Sequence, residues 1–163
     1  MAEKLGLYVH IPFCRSKCDY CDFYSLAGRE DRMDDYLKAL VAHMKETGPL
    51  TRGSQVDTVY FGGGTPSYFG EKRLKELLRT IAKRFDLAKD AEITVECNPD
   101  SVNLKMLQTL RRAGANRISL GVQSANPCEL SCLHRPHDFE QVKAAVQAVR
   151  AAKFKNLSLD LIY

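Results

Sequence analysis

The stretch Val56-Asp57-Thr58-Val59-Tyr60-Phe61-Gly62-Gly63-Gly64-Thr65-Pro66 contains the unit from which the fold is built. Its residues 58–61 alternate polar and apolar side chains, as in a β-strand covered on one face, and the glycines end that strand. Apolar residues at helical spacing follow, starting with Leu74, Leu77 and Leu78, and a second strand is predicted at Ile93–Glu96. This succession predicts a parallel β-α-β unit.

The same unit recurs along the whole chain. The predicted strands are Leu7–Ile11, Val56–Phe61, Ile93–Glu96, Arg117–Val122 and Leu157–Ile162. Between them, helical spacing predicts three helices that carry the apolar residues of Met33–Met44, Leu74–Phe85 and Leu104–Leu110. Gly48-Pro49 stops the first of these helices, and the third ends near Gly114. A fourth helix is predicted from Asp138 and is expected to bury Phe139, Val142, Val146 and Val149. Gln141 lies three residues after Asp138, as in a capping box. The order predicts an α/β fold.

Each predicted strand presents polar side chains on one face, where parallel strands usually read as continuous apolar runs. We expect Tyr8, Glu96, Gln123 and Asp160 on this face, and Val95, Leu159 and Leu161 on the other face, against helices. A buried, unpaired carboxylate would cost several kcal/mol. The pattern therefore favours a cavity for a polar ligand or water; the alternative is an open sheet whose polar face meets solvent.

Composition indicates one globular domain. The chain has 163 residues, 45% of them apolar and 27% charged, with a formal net charge of +4. It contains no apolar run approaching the roughly 18 residues of a membrane span, and the first residues lack a signal-peptide pattern, so we expect a cytoplasmic protein. Aromatic residues do not interleave with the basic ones, so we expect no nucleic-acid partner.

Three of the six cysteines, Cys14, Cys18 and Cys21, form a C-x3-C-x2-C motif just after the first strand. In a reducing compartment such clusters more often bind metal or act in catalysis than form disulfides. Three thiolates on one loop can hold three irons of a cubane iron–sulfur cluster and leave the fourth iron open to a small chelating molecule. The alternatives are a zinc site, with His10 as a fourth ligand, or a disulfide pair.

The other candidate residues also follow predicted strands. Gly62–Pro66 follows the second strand, where glycines let a ligand approach the backbone, although no Gly-Lys-Ser/Thr of a phosphate loop follows. Glu96 and Gln123 end the third and fourth strands, and Asp160 lies on the fifth; Arg135 completes this dispersed set. Ligand sites of parallel α/β folds lie at this end of the strands.

A second group of potential metal ligands lies in ten residues: Cys128, Cys132, His134 and His137. It lacks the longer spacer by which two ligand pairs face each other in a zinc finger. We therefore interpret it as a loop and helix start rather than a metal site. Cys97 is predicted to pack as a small apolar residue.

Together the motifs resemble the radical S-adenosylmethionine (SAM) superfamily, and within it the oxygen-independent coproporphyrinogen III oxidase family, which has an oxidase (HemN) and a heme-chaperone (HemW) branch. The resemblance covers essentially the whole chain. It is carried by LYVHIPFC at Leu7–Cys14, YFGGGTPS at Tyr60–Ser67, ECNPD at Glu96–Asp100, RISLGVQS at Arg117–Ser124 and SLDLIY at Ser158–Tyr163.

This resemblance implies a parallel partial (β/α) barrel and a [4Fe-4S] cluster on Cys14, Cys18 and Cys21. SAM would chelate the fourth iron, and reduction would cleave it to methionine and a 5′-deoxyadenosyl radical. The family positions that contact this SAM match Tyr8, Gly63 and Glu96. Those that contact a second SAM in the oxidase match Tyr20, Gly64, Thr65, Gln123, Arg135 and Asp160.

Phe23 indicates the branch, because it stands where the oxidase has a fourth cysteine. The pattern C-x3-C-x2-C-x-F resembles the heme-chaperone branch, which implies heme as a ligand and heme-accepting proteins as partners. Two alternatives stay open: oxidative decarboxylation of coproporphyrinogen III, and a radical SAM reaction on another substrate, such as a tRNA base. The resemblance also implies that residues 1–163 are a truncated radical SAM core, with five of about six βα units and without the family's C-terminal domain.

Overall fold

The computed structural model describes residues 3–163, and its elements alternate strands with helices. The strands are β1 (Glu3–Ile11), β2 (Phe13–Cys14), β3 (Leu26–Ala27), β4 (Ser54–Gly63), β5 (Leu87–Cys97), β6 (Arg117–Gln123) and β7 (Asn156–Leu161). The α-helices are α1 (Met33–Thr47), α2 (Pro66–Phe69), α3 (Glu71–Arg84), α4 (Leu104–Arg112), α5 (Pro127–Cys132) and α6 (Phe139–Ala151). The α/β fold is confirmed.

The main sheet has five strands in the order β1-β4-β5-β6-β7, and every pair is parallel. All five predicted strands are present, and β5 begins several residues earlier than predicted. The short strands β2 and β3 form a separate parallel pair that brackets the cysteine loop. Because all five strands of the main sheet run the same way, their carboxyl ends lie on one rim.

The predicted helices are also confirmed, together with their end signals. Asp138 and Gln141 form the capping box of α6, with each side chain accepting from the other residue's backbone N–H. Asn103 caps α4 by accepting from the backbone of Met106. Within residues 3–163, none of the helices has the length and hydropathy of a membrane span.

One face of the sheet packs against helices and forms the core. Alternate residues of the central strands, such as Val59, Val95 and Ile118, are buried with exposed fractions of 1% or less. Leu74, Leu77 and Ile81 of α3 and Leu107 and Leu110 of α4 are equally buried. Burial of each such side chain contributes about 1.5–3 kcal/mol to folding.

The predicted register is confirmed, but the helix contacts that were expected at the edge of the sheet are wrong. Glu96 and Asp160 share the polar face, and Val95 lies on the helix-covered face. Leu159 and Leu161, expected to contact helices, are 48% and 64% exposed. They lie on the edge strand β7, of which Leu157 alone is packed against the core cluster.

The fourth helix buries fewer residues than predicted. Val142 and Val149 are buried and Val146 packs against the core, but Phe139 is 39% exposed. Phe139 is the first residue of α6, and the Lys143 ammonium lies 5.4 Å from its ring centroid. The ring is therefore covered by a neighbouring side chain on the helix surface rather than by the core.

Candidate cofactor site

The loops that follow β1 and β4 are joined backbone to backbone. The Gly64 N–H donates to the Ile11 carbonyl and the Thr65 N–H to the Phe13 carbonyl, both at 2.8 Å. A Cβ on Gly64 would lie 3.0 Å from Cys14 Sγ and 2.8 Å from the Phe13 oxygen. Gly64 therefore leaves room for the first thiol of the cysteine loop, which lies close to the glycine backbone.

The three motif cysteines are half-buried at the rim of the sheet. Cys14 lies on β2, and the Cys21 N–H donates to the Cys18 carbonyl at 3.1 Å, which closes a turn between the other two. Thr65 Oγ1 donates to Cys14 Sγ at 3.6 Å. Burial raises the pKa of the Cys14 thiol, and the Thr65 hydrogen bond opposes that rise.

The spacing of the thiols bears on which metal group they suit. Two thiolates that bind one zinc each lie about 2.3 Å from it. Within residues 3–163, no three His, Cys, Asp or Glu side chains are grouped closely enough to hold a single ion. In a cubane each cysteine bonds a different iron, so the thiols stand farther apart. Three thiols on one loop are the donor set of a cubane that leaves its fourth iron without a protein ligand.

The cysteine loop covers a cavity of about 260 Å³. Its walls include eleven of the twelve residues that the sequence singled out as metal or cofactor ligands: Cys14, Cys18, Tyr20, Cys21, Gly63, Gly64, Thr65, Glu96, Gln123, Arg135 and Asp160. Phe23 also lines it, with a side chain 66% exposed. The predicted cavity on the polar face is present at the carboxyl ends of the strands, whereas Tyr8, Thr58 and Glu92 elsewhere on that face are exposed.

Tyr8 is the one candidate that does not line the cavity. Its ring is 59% exposed and stacks on Tyr60, with ring centroids 6.1 Å apart. The Tyr60 hydroxyl in turn donates to Glu96 Oε1 at 2.7 Å. Tyr8 therefore contacts the cavity residues indirectly, through Tyr60 and through His10, whose Nδ1 lies 3.4 Å from the Tyr8 hydroxyl.

Two carboxylates supply acceptors on the polar face. Burial raises the pKa of Glu96, the Tyr60 hydrogen bond lowers it, and the nearby Asp160 raises it further. Asp160 accepts from the Ser119 hydroxyl, which lies 3.0 Å from both of its carboxylate oxygens. Both side chains are held in place by neighbours on adjacent strands and keep lone pairs free for hydroxyl or amine donors.

Arg135 reaches the cavity from the loop after α5. Its Nη2 donates to Asn98 Oδ1 at 2.9 Å and to the Gly121 carbonyl at 3.0 Å. Its Nη1 lies 3.4 Å from both Cys18 Sγ and the Tyr20 hydroxyl. The guanidinium therefore connects the cysteine loop to the carboxyl ends of β5 and β6.

The sequence interpretation did not select Asn98 or Asp100. Asn98 accepts from Arg135 and donates through Nδ2 to Thr65 Oγ1 at 3.3 Å. The largely buried Asp100 carboxylate pairs with Arg15 of the cysteine loop at 3.2 Å, and one of its oxygens has no hydrogen-bond partner within residues 3–163. Their place directly after a predicted strand was a usable signal.

The second ligand-rich group does not converge on one point. Cys128 and Cys132 are exposed, His134 pairs with Asp19 at 2.8 Å, and His137 is buried with Nε2 2.9 Å from the Val122 carbonyl. Cys97 is buried as predicted, and burial raises the pKa of its thiol to about 12.

Fold and site together define a parallel α/β protein in which a three-cysteine loop and a glycine loop enclose a cavity at the strand ends. Residues 8–163 match the family model described as the radical SAM superfamily. The chain belongs to that superfamily.

Similar proteins show which members of the superfamily the chain resembles. The chain is 40% identical to the heme chaperone HemW of Mycobacterium tuberculosis over 99% of its own length and 42% of the relative's. It is 36% identical to the oxygen-independent coproporphyrinogen III oxidase of Escherichia coli, over 99% of its own length and 35% of the relative's. The solved structure of coproporphyrinogen III oxidase (HemN) from Escherichia coli superposes with a TM-score of 0.91 at 34% identity, over 99% of this chain and 37% of that one. The chain thus spans about two fifths of these relatives' length.

Proposed function

We propose that this chain is the core of a HemW-like radical SAM protein, in which Cys14, Cys18 and Cys21 hold a [4Fe-4S] cluster and SAM binds beside it. The observation that carries the proposal is the joining of the cysteine loop to the Gly64–Thr65 backbone above one cavity. When bound, such a cluster supplies the electron that cleaves SAM. The fit rests on three thiols on one loop and on Gly64, where a Cβ would lie 3.0 Å from Cys14 Sγ and crowd the first thiol.

The other cavity residues have roles that follow from their chemistry. Glu96 and Asp160 accept hydrogen bonds, which suits ribose hydroxyls or the methionyl amine of SAM. Gly63 lines the cavity with its backbone, and glycine is needed there because a Cβ would lie 2.5 Å from the His10 ring. Tyr60 orients Glu96 through its 2.7 Å hydrogen bond.

For the whole protein we propose heme binding and transfer to a heme-accepting protein, as the name of the HemW relatives describes. Phe23 supports this branch: it lines the cavity where the oxidase branch would place a fourth cysteine, and its ring offers neither a donor nor a thiol. A bulky aromatic side chain at this point leaves less room for a second SAM. A flat apolar ring also suits contact with a porphyrin.

The cluster assignment is tested by anaerobic reconstitution of the full-length protein, followed by iron and sulfide analysis. Cys18→Ala should lose the cluster, whereas Cys132→Ala, an exposed cysteine outside the motif, should keep it. Full cluster content in Cys18→Ala would refute the assignment. Zinc as the sole bound metal would favour the single-ion alternative.

The branch is tested by two assays on the same reconstituted protein. We expect heme binding, and no conversion of coproporphyrinogen III in the presence of SAM and reductant. Repeated turnover, even far below the usual range of roughly 1–1000 per second, would favour the oxidase. Phe23→Cys tests the residue itself, because activity gained by this change alone would assign the difference between branches to position 23.

The oxidase is the second candidate function, and the superposition on HemN with a TM-score of 0.91 is the observation in its favour. The two candidates share cluster and SAM chemistry, so the cluster assay alone does not distinguish them. Heme affinity together with the turnover assay does.

A further inference from the structure

We propose that Arg135 raises the reduction potential of the cluster by donating an N–H···S hydrogen bond to Cys18 and placing an unneutralised positive charge beside it. The inference rests on the proposed cluster on Cys14, Cys18 and Cys21. It assigns Arg135 a positioning and tuning role in this chain, distinct from the contact with a second SAM that the family resemblance implies.

The guanidinium is held in place from the side opposite Cys18. Its Nη2 donates to two fixed acceptors, Asn98 Oδ1 at 2.9 Å and the Gly121 carbonyl at 3.0 Å. Position 121 leaves space for this arrangement, since a Cβ there would lie 3.0 Å from Asn98 Oδ1 and 3.3 Å from Nη2. With Nη2 anchored, Nη1 is directed at Cys18 Sγ, 3.4 Å away.

The same geometry leaves too few donors for a carboxylate. Nη2 uses its two hydrogens on Asn98 and Gly121, and Nη1 faces Cys18 Sγ and the Tyr20 hydroxyl. Of the five guanidinium N–H groups, the buried Nε–H is the one without a partner within residues 3–163. A bidentate carboxylate contact needs two parallel N–H groups, so Arg135 would have to release protein contacts to make one.

The charge of Arg135 is also not neutralised by a carboxylate. Across residues 3–163, the side chains that form ion pairs within 4.0 Å do not include Arg135. A half-buried cation without a counter-ion is stabilised by an anion placed next to it. The thiolates of a bound cluster would supply that anion, with Cys18 nearest.

The direction of the effect follows from the charge change on reduction. One electron passes from an external reductant to the cluster, so the cluster becomes more negative while the reductant is oxidised; no bond to Arg135 forms or breaks. A nearby positive charge and a hydrogen bond to a ligand sulfur favour the more negative state. Arg135 therefore makes the cluster easier to reduce.

The test is a redox titration of the reconstituted full-length protein in the absence of SAM, monitored by the electron paramagnetic resonance signal of the reduced cluster. Arg135→Gln should retain iron and shift the midpoint potential downward. Arg79→Gln, an exposed arginine on α3, removes the same charge far from the cavity and should leave the potential unchanged. An unchanged potential in Arg135→Gln together with weaker SAM binding would overturn the proposal in favour of a SAM contact.

Arg135→Lys keeps the proposal testable if the glutamine variant loses its cluster. A lysine ammonium cannot reach Asn98, Gly121 and Cys18 together as the planar fork does, so its potential should also fall. A wild-type potential in Arg135→Lys would overturn the hydrogen-bond assignment. If the wild-type protein itself takes up no cluster, the proposed function fails rather than this inference.

Discussion

Replacing Gly64 with alanine should separate the cysteine loop from the sheet. The φ angle of Gly64 is not in the left-handed region, so alanine brings no backbone strain and its cost comes from contact alone. The new Cβ would lie 2.8 Å from the Phe13 carbonyl oxygen and 3.0 Å from both Cys14 Sγ and the Ile11 oxygen. Two of these three atoms belong to the backbone and cannot rotate away.

The magnitude follows from these distances. To reach ordinary contact, the two strand ends must separate by about 0.6 Å, the difference between 2.8 and 3.4 Å. Such a shift weakens the Gly64–Ile11 and Thr65–Phe13 hydrogen bonds, both 2.8 Å long. Each is worth about 0.5–1.5 kcal/mol net, and overpacking typically costs about 1–3 kcal/mol. We expect a loss of about 2–3 kcal/mol in the free energy of unfolding. Retention of the cluster against a chelator should fall by a factor of about ten or more.

The assays are urea unfolding of the metal-free protein and iron analysis after anaerobic reconstitution. Gly70→Ala is the matched control: its φ of +95° makes alanine strained, but the nearest atom to a Cβ is 3.6 Å away. It should cost about 1–3 kcal/mol, because φ +95° with ψ 151° is a conformation that glycine alone adopts readily, and it should leave iron content intact. Wild-type stability and full iron retention in Gly64→Ala would refute the contact argument.

Three further changes test separate parts of the structure. Tyr60→Phe removes the donor to Glu96, so we expect a loss of about 1–2 kcal/mol at pH 8 that shrinks as acid protonates Glu96; a gap independent of pH would contradict this. Asp138→Ala should cost about 1 kcal/mol by chemical denaturation, because it removes the α6 capping box, and an unchanged midpoint would argue against that cap. Burial lowers the pKa of His137 below its ordinary value of 6.5, so the unfolded chain binds more protons than the folded one at mildly acidic pH. Wild-type stability should therefore fall as the pH drops from about 7 to 5. His137→Gln should flatten this part of the profile, and an unaltered slope would point to other groups.

Periodicity predicted the elements whose side chains meet the core. The alternation at Thr58–Phe61 and the helical spacing of Leu74, Leu77 and Leu78 reflect burial on one face, and that burial decides the fold. The α6 start was predictable from Asp138 and Gln141 because a capping box is a local interaction.

Positions at the margins of the core were less predictable, because their burial depends on what lies beyond them. Leu159 and Leu161 alternate correctly but lie on the edge strand, where an apolar side chain need not meet a helix. Phe139 has the right spacing for the core but begins its helix, where Lys143 covers it instead. The hydrophobic pattern of a segment defines which face of the strand or helix a side chain lies on, but not whether another element covers that face.

The cavity was predictable as a rim of strand ends, but the contacts that organise it were not. That Arg135 would reach Cys18, 117 positions earlier in the chain, depends on a loop whose path no local pattern specifies. Asn98 is in the same situation, since its partner Thr65 follows β4 and its partner Arg135 lies in the loop after α5. Sequence spacing predicted which residues would share the rim, and the structure adds their pairing.

The two faces of the sheet separate stability from chemistry. The apolar face carries fully buried residues such as Phe61, Val95 and Leu120, each contributing about 1.5–3 kcal/mol. The polar face includes groups that oppose folding when charged, because burial raises the pKa of Glu96 and so favours its neutral form. A domain stabilised mainly through one face tolerates such groups on the other. Substitutions of Glu96 or Asp160 should therefore weaken ligand binding far more than they lower the free energy of unfolding. Val95→Ala, one residue from Glu96, should lower the free energy of unfolding far more than it weakens ligand binding.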